Sequence, residues 1–270
     1  MQYQQHNKDA WSYLVRQREA STRAYGQEEF RQAQYWLDPD SWIPWPRISK
    51  VLCLASGGGQ QGPLFASLGL DVTVVDLSPE QLATDRKTAR RHGLKLRCVQ
   101  GDMTDLSHFH GAGFDLVYQP ISSLYVPDIR RVYHEVFRVL RPGGYYWVEH
   151  WNPMQMQLAE STPWDGEAYR VKYRQDTGQP LAWEHSSNQG ESAVSWNYIH
   201  SLTSLVGGVC DAGMVILRFG ERQDGNANAQ PGSNAHMSAF IPSFFSTLAR
   251  RPLRARRPGA RKMRRRINSR

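Results

Sequence analysis

Long apolar runs are missing from this 270-residue chain. No stretch approaches the ~20 consecutive apolar residues that a membrane span requires. The start, MQYQQHNKDAW, lacks the basic and then apolar layout of a secretory leader. A cytoplasmic protein with no membrane span is expected. Cysteine is scarce: Cys53, Cys98 and Cys210 are odd in number, far apart and set among apolar neighbours, which favours buried thiols over disulfides. No spacing of cysteine and histidine suggests a zinc site, and no metal is expected. The body also lacks a basic surplus. Eleven of the 33 lysines and arginines, and none of the 25 acids, fall in Arg250–Arg270, so the net charge of +8 belongs to the tail. Residues 250–270 are expected to be a disordered basic tail. Nucleic acid or an anionic surface is a possible partner through that tail only.

What is present is organised around VLCLASGGGQQGPLFASLGLDVTVVD, Val51 to Asp76. An apolar run ends in Ser56-Gly57-Gly58-Gly59, a helix-like segment stops at Gly69, and a second apolar run ends in Asp76. This is the pattern of a parallel strand, a glycine turn that lets backbone approach a ligand, a crossover helix, and a strand closed by a carboxylate. Gly57-x-Gly59-x-x-Gly62 fits a dinucleotide turn and equally a nucleoside turn without pyrophosphate. Asp76 suits the ribose of either.

The rest of the chain continues the alternation. Ser78 is a natural helix N-cap, with Pro79 in the first turn and Gln81 completing a capping box. Strands are expected at 96–100, 114–118 and 145–149, the last entered through a turn at Arg141-Pro142-Gly143-Gly144. Ile129, Val132, Tyr133, Val136, Phe137 and Leu140 form one helical face after Asp128. Residues 1–50, rich in aromatics, read as a helical lid or a packing layer across the glycine-loop end. Residues 51–249 read as the main domain, interrupted at 150–199 by a polar insert carrying Trp151, Trp164, Trp183 and Trp196. A helix over 201–211, a strand over 214–219 and an apolar run at 241–248 complete it, the last two expected as a directly joined antiparallel hairpin.

In order and spacing, VLCLASGGG, VVDLSPEQL, VQGDMTDL, FDLVYQPIS, FRVLRPGG and HSLTSLVGGVCDAGMVILRFGE resemble the class I S-adenosylmethionine-dependent methyltransferases, in their bacterial small-molecule branch. The resemblance implies an α/β fold: a doubly wound, mostly parallel seven-stranded sheet, Rossmann-like, ending in a C-terminal antiparallel hairpin. It implies S-adenosylmethionine as cofactor and methyl transfer to an oxygen or nitrogen of a small molecule. It further implies that Ser56, Gly57, Gly58 and Gly59 line the methionine portion. Asp76, with Leu77, would hold the ribose, Asp102 and Met103 the adenine edge, and Gln119 would face the methionine portion and the methyl. The commoner family turn has an acid and a glycine where this chain has Cys53 and Ala55. An NAD enzyme gives no reason for Gly101-Asp102-Met103, for the Arg-Pro-Gly-Gly turn or for a terminal antiparallel strand.

His150, at the end of the fifth strand, is the candidate general base, because that end faces the cofactor in an open α/β sheet. Tyr118, Ser122, Tyr125 and Trp151 are candidate acceptor contacts. Two alternatives remain. One is a nucleic-acid-associated methyltransferase using the tail, although Gln119-Pro120-Ile121-Ser122 is a poor match to base amino-methylation and no cysteine lies near that strand for carbon methylation of cytosine. The other is a non-catalytic binding protein on the same scaffold.

Overall fold

β-Branched and apolar residues alternating with amphipathic segments produce a sheet covered on both faces. The computed structural model describes residues 2–158, 164–172, 176, 178–186 and 192–253. The N-terminal segment forms α1 (Gln2–Arg16), α2 (Gln27–Arg31) and α3 (Ala33–Leu37). The alternation then runs β1 (Lys50–Leu54), α4 (Gln61–Ser67), β2 (Asp71–Asp76), α5 (Pro79–Arg91), β3 (Arg97–Gln100), β4 (Phe114–Gln119), α6 (Ile129–Val139) and β5 (Leu140–Trp151). A two-stranded antiparallel sheet, β6 (Leu181–Ser186) with β7 (Ser192–Asn197), stands apart. A π-helical turn (Thr203–Gly207) leads into α7 (Gly208–Asp211), and β8 (Val215–Glu221), α8 (Asn234–Phe240) and β9 (Phe244–Arg250) end the fold.

The main sheet has seven strands in the order β3-β2-β1-β4-β5-β9-β8. Pairings from β3 to β5 are parallel, and β9 is antiparallel to both neighbours. The expected doubly wound sheet is therefore present, with one change at its edge. β8 and β9 are not directly joined, because α8 lies between them. The Arg-Pro-Gly-Gly segment is also drawn into β5 rather than forming a turn before it.

Strand alternation splits the core in two. On one face Leu52, Leu54, Val117, Tyr146 and Val148 pack against Val132, Tyr133 and Val136 of α6. On the other, Val51, Cys53, Leu116, Tyr118 and Trp147 meet Leu64 and Phe65 of α4, Leu82 of α5 and Leu37 of α3.

Caps form where the sequence places them. Ser78 Oγ accepts the Gln81 N–H at 3.2 Å, and Asp128 Oδ1 accepts the Arg130 N–H at 3.0 Å. The Gln81 side chain, however, is used elsewhere, on the glycine turn.

The insert does not wall an acceptor with its tryptophans. Trp196 stacks on His6 of α1 at 4.5 Å and its backbone N–H donates to Asn7 Oδ1 at 2.7 Å. Trp151 packs on Trp183 and Phe244, and Trp164 on Phe240. These rings bind elements together.

The fold also runs past 249. Arg250 pairs with Tyr145 in the sheet, and Arg251 Nη1 donates to the carbonyls of Phe137, Arg138 and Leu140. The remainder of the expected basic tail, 254–270, lies outside the described residues. Among the described residues no helix is long and apolar enough to cross a membrane, and no cluster of metal-binding side chains occurs.

Candidate active site

β1 delivers its backbone into the glycine turn at the carboxyl edge of the sheet. Ala55 begins the turn with φ 44°, a left-handed conformation that costs a residue with a Cβ about 1 kcal/mol. Gly57 and Gly59 follow at φ 74° and 76°. Gly58 has no room for a side chain, since a Cβ there would sit 2.5 Å from the Gln81 carbonyl oxygen. The first turns of α5 hold the loop from below. Gln81 Oε1 accepts the Gly58 N–H at 2.7 Å, and Asp85 Oδ1 accepts the Gly59 N–H at 2.8 Å. Asp85 is buried, and that burial raises its pKa well above the usual carboxylate range.

Above this turn opens a cavity of about 1130 Å³. The sequence candidates Ser56, Gly57, Asp76, Leu77, Asp102 and Met103 line one end. Asp76 accepts the Ser78 N–H at 2.8 Å through Oδ1. Burial pushes its pKa up to about 6, although its carboxyl is partly open to the cavity. Ser56 Oγ is buried and, apart from the neighbouring Cys53 thiol, has no partner among the described residues.

Asp102 is approached by the N-terminal helix. Its Oδ2 accepts the Tyr3 hydroxyl at 2.6 Å and the Gln4 amide, and its Oδ1 accepts the Thr104 N–H at 2.9 Å. Three of roughly four acceptor positions on the carboxylate are thus in use.

The N-terminal segment crosses the mouth. The Tyr25 N–H donates to the Gly59 carbonyl at 2.9 Å, Gln60 Nε2 donates to the carbonyls of Ser21 and Arg23, and Ser12 Oγ meets Ser78 Oγ at 3.0 Å. Asn7, Lys8, Trp11, Tyr25, Tyr35 and Trp36 all line the cavity.

At the far end the walls are aromatic and acidic. Tyr118 stacks flat on Trp147 at 4.2 Å, and its hydroxyl donates to the Leu37 carbonyl at 3.1 Å. Tyr125 lines the cavity beside Trp11. Glu149, Arg222 and Ser246 complete this end, with Arg222 Nη2 donating to Glu149 Oε1 at 2.5 Å.

Six sequence candidates do not line the cavity: Gly58 and Gly59, whose N–H groups are turned onto Gln81 and Asp85, and four residues carrying larger side chains. Gln119 is fully buried behind Met103, donating to its sulfur at 3.3 Å and accepting the Tyr146 hydroxyl at 2.5 Å. Ser122 lies on the same hidden side, near the Met103 sulfur. Trp151 is engaged by Trp183 and Phe244. His150 is 0 % exposed, with Nδ1 against Ser123 Oγ at 2.8 Å and its ring beside Phe245. Burial lowers its pKa to about 3, so the imidazole stays neutral and shielded. Sequence reasoning passed over Glu149, Trp147, Tyr25 and Arg222. Only strand alternation beside His150 carried a signal, since residues 147 and 149 share the face opposite 150.

Comparisons with known proteins agree with this geometry. A methyltransferase-domain family model matches residues 52–148. The uncharacterised methyltransferase YbaJ of Bacillus subtilis is 34% identical over 232 residues, 82% of this chain and 91% of its own length. Sterol 24-C-methyltransferase erg6 of Aspergillus fumigatus is 40% identical over 107 residues, 38% of this chain and 28% of its own length. The crystal structure of an S-adenosylmethionine-dependent methyltransferase from Mesorhizobium loti shares the fold, with a TM-score of 0.59 at 20% identity, covering 84% of this chain and 99% of that one. With a relative matching nearly end to end and the sheet order, glycine turn and strand-end acids all in place, the chain belongs to the class I S-adenosylmethionine-dependent methyltransferases, and S-adenosylmethionine is its cofactor.

Proposed function

We propose that the protein methylates an oxygen or nitrogen of a small, largely apolar or planar molecule held between Tyr25, Tyr35, Trp36, Tyr118 and Trp147. The observation that carries this reading is the continuity of one cavity from the glycine turn and Asp76 to that aromatic end. Apolar walls with a few convergent polar groups are the usual make-up of a small-molecule site.

The residues at the glycine end fit the cofactor. The buried Ser56 hydroxyl needs a partner, Ser56 and Gly57 line the cavity, and Asp76 retains acceptor capacity for ribose hydroxyls. On this reading Ser56 and Gly57 cradle the methionine portion while Gly58 and Gly59 shape the turn behind them, Asp76 with Leu77 holds the ribose, and Met103 with the remaining acceptor site of Asp102 holds the adenine edge. Gln119 acts at one remove, by fixing Met103. The bound cofactor supplies an activated methyl on a sulfonium. The protein then has to align an acceptor with that methyl and exclude water. The N-terminal segment is placed to serve as the lid for both halves of the site. The aromatic faces at the acceptor end suit the neighbourhood of a positive charge.

A second reading, methylation at carbon, is favoured by the likeness of the central residues to a sterol 24-C-methyltransferase. Labelled methyl transfer followed by product mass and fragmentation separates the two, since an O- or N-methyl and a C-methyl break differently. No labelled small product would sink both.

A further inference from the structure

Glu149 ends the cavity-facing row of β5, with 8% of its side chain exposed. Its register partner across the sheet is Ser246, and it lines the same cavity as Tyr25 and Tyr118. Arg222 Nη2 donates to Oε1 at 2.5 Å, and Ser246 Oγ reaches the same oxygen at 3.5 Å. Both contacts fall on Oε1, so Oε2 keeps its acceptor sites for whatever enters. Arg222 is itself held: its backbone N–H donates to the Phe244 carbonyl at 2.9 Å and its guanidinium lies 4.8 Å from the Phe244 ring centre.

We infer that Glu149 Oε2 takes the proton of the methyl acceptor, and that Arg222 is the positioning residue that keeps the carboxylate ionised and aimed into the cavity. This rests on the reading of the aromatic end as the acceptor site. In the step, the acceptor's O–H or N–H bond breaks. The proton moves to Oε2, and the bonding pair stays on the nucleophile. The nucleophile bonds to the methyl carbon as the carbon–sulfur bond breaks, and that pair returns to sulfur as a neutral thioether. Glu149 then gives its proton to water at the cavity mouth, where Arg222 is itself partly exposed.

Burial makes Glu149 a stronger base than an ordinary carboxylate by raising its pKa, and Arg222 opposes that rise. The groups facing it are Arg222 and Asp224 after β8, Tyr118 of β4, Tyr25 of the N-terminal segment and Ser246 of β9. Such a base is matched to an acceptor that binds protonated at neutral pH.

The test uses the full chain, methyl-labelled S-adenosylmethionine and a small-molecule extract of the native cells. Single-turnover transfer is followed across pH with S-adenosylmethionine saturating at every pH, so that titration of Asp76 does not enter the profile, and with S-adenosylhomocysteine calorimetry as the control. Glu149→Gln is expected to slow transfer by about 100-fold or more, to abolish the acid limb of the pH profile, and to leave S-adenosylhomocysteine affinity unchanged. Glu149→Asp recovers part of the rate. Arg222→Gln shifts the acid limb to higher pH, because the carboxylate loses its cation, and Arg222→Lys shifts it back. Transfer by Glu149→Gln near the wild-type rate, or an acid limb that survives in it, overturns the inference. If that variant is normal while Trp36→Ala raises the acceptor KM, only the proton role falls. If both are normal, the acceptor-site reading falls with it. Should Glu149→Gln fold poorly, the Arg222 pair decides through the position of the limb.

Discussion

Gln81 Oε1 accepts the backbone N–H of Gly58 at 2.7 Å, tying the first turn of α5 to the middle of the glycine turn. The residue that a capping box would have used for its own helix instead fixes the floor of the cavity. Gln81→Leu leaves that buried N–H unsatisfied, at a cost of about 1–3 kcal/mol. A lower melting temperature and weaker S-adenosylhomocysteine binding are expected by calorimetry. Gly58→Ala is more severe, because its Cβ meets backbone at 2.5 Å rather than a flexible side chain. Wild-type affinity in Gly58→Ala would contradict this account of the turn.

Asp76 gives a pH dependence whose sign is fixed. Its pKa in the ligand-free protein is pushed up to about 6. Protonation removes an acceptor for the ribose. S-Adenosylhomocysteine affinity should therefore fall as pH drops through about 6, by at most about tenfold per unit for one proton. The same raised value means that the ligand-free fold holds a proton which the unfolded chain releases, so this group's contribution to stability is lost as pH rises through about 6. Asp76→Asn should flatten the affinity profile. A profile unchanged in that variant would assign the titration elsewhere.

The lid reading predicts protection. Tyr3 and Gln4 reach Asp102, and Asn7 reaches the Tyr125 and Trp196 carbonyls. Binding of S-adenosylhomocysteine should slow amide exchange over α1, measured by mass spectrometry. Unchanged exchange there, with slowed exchange at Gly57–Gly59, would make the segment a packing layer only.

Trp36 is 42% exposed while lining the cavity, so its loss should be nearly neutral for stability, within about 0.5 kcal/mol. Trp36→Ala should raise the acceptor KM and leave S-adenosylhomocysteine affinity intact. Equal losses in both would place the ring at the cofactor rather than the acceptor.

Arg251 closes the carbonyl end of α6 with three bonds and lies 4.5 Å from the centre of the Phe137 ring. Arg251→Ala is expected to cost about 1–3 kcal/mol of stability with no change in ligand affinity. Denaturant melts check this, and an unaltered midpoint would make the residue part of the tail.

The sheet and the glycine-turn end of the cavity were legible because their signals are local. A glycine turn after an apolar run, a carboxylate closing the next strand and an Asp-Met pair closing the third each occupy a few adjacent residues. The acceptor end was not. Glu149 and Arg222 meet only because β9 inserts between β5 and β8, which no short window reveals. His150 against Glu149, and Gln119 against Tyr118, differ by one residue in a strand. One residue moves a side chain to the other face. Tyr35 and Trp36 read as generic aromatics until α3 carried them to the mouth. The direct hairpin was expected because the helical segment Asn234–Phe240, capped by Ser233, is short and lies at the end of a polar loop.

The most direct test of the central claim is a labelled-methyl transfer assay with the purified full chain against native cell extract, resolved by product mass. The account predicts label in a low-molecular-weight product, lost in Asp76→Ala. Label confined to nucleic acid or protein would contradict it.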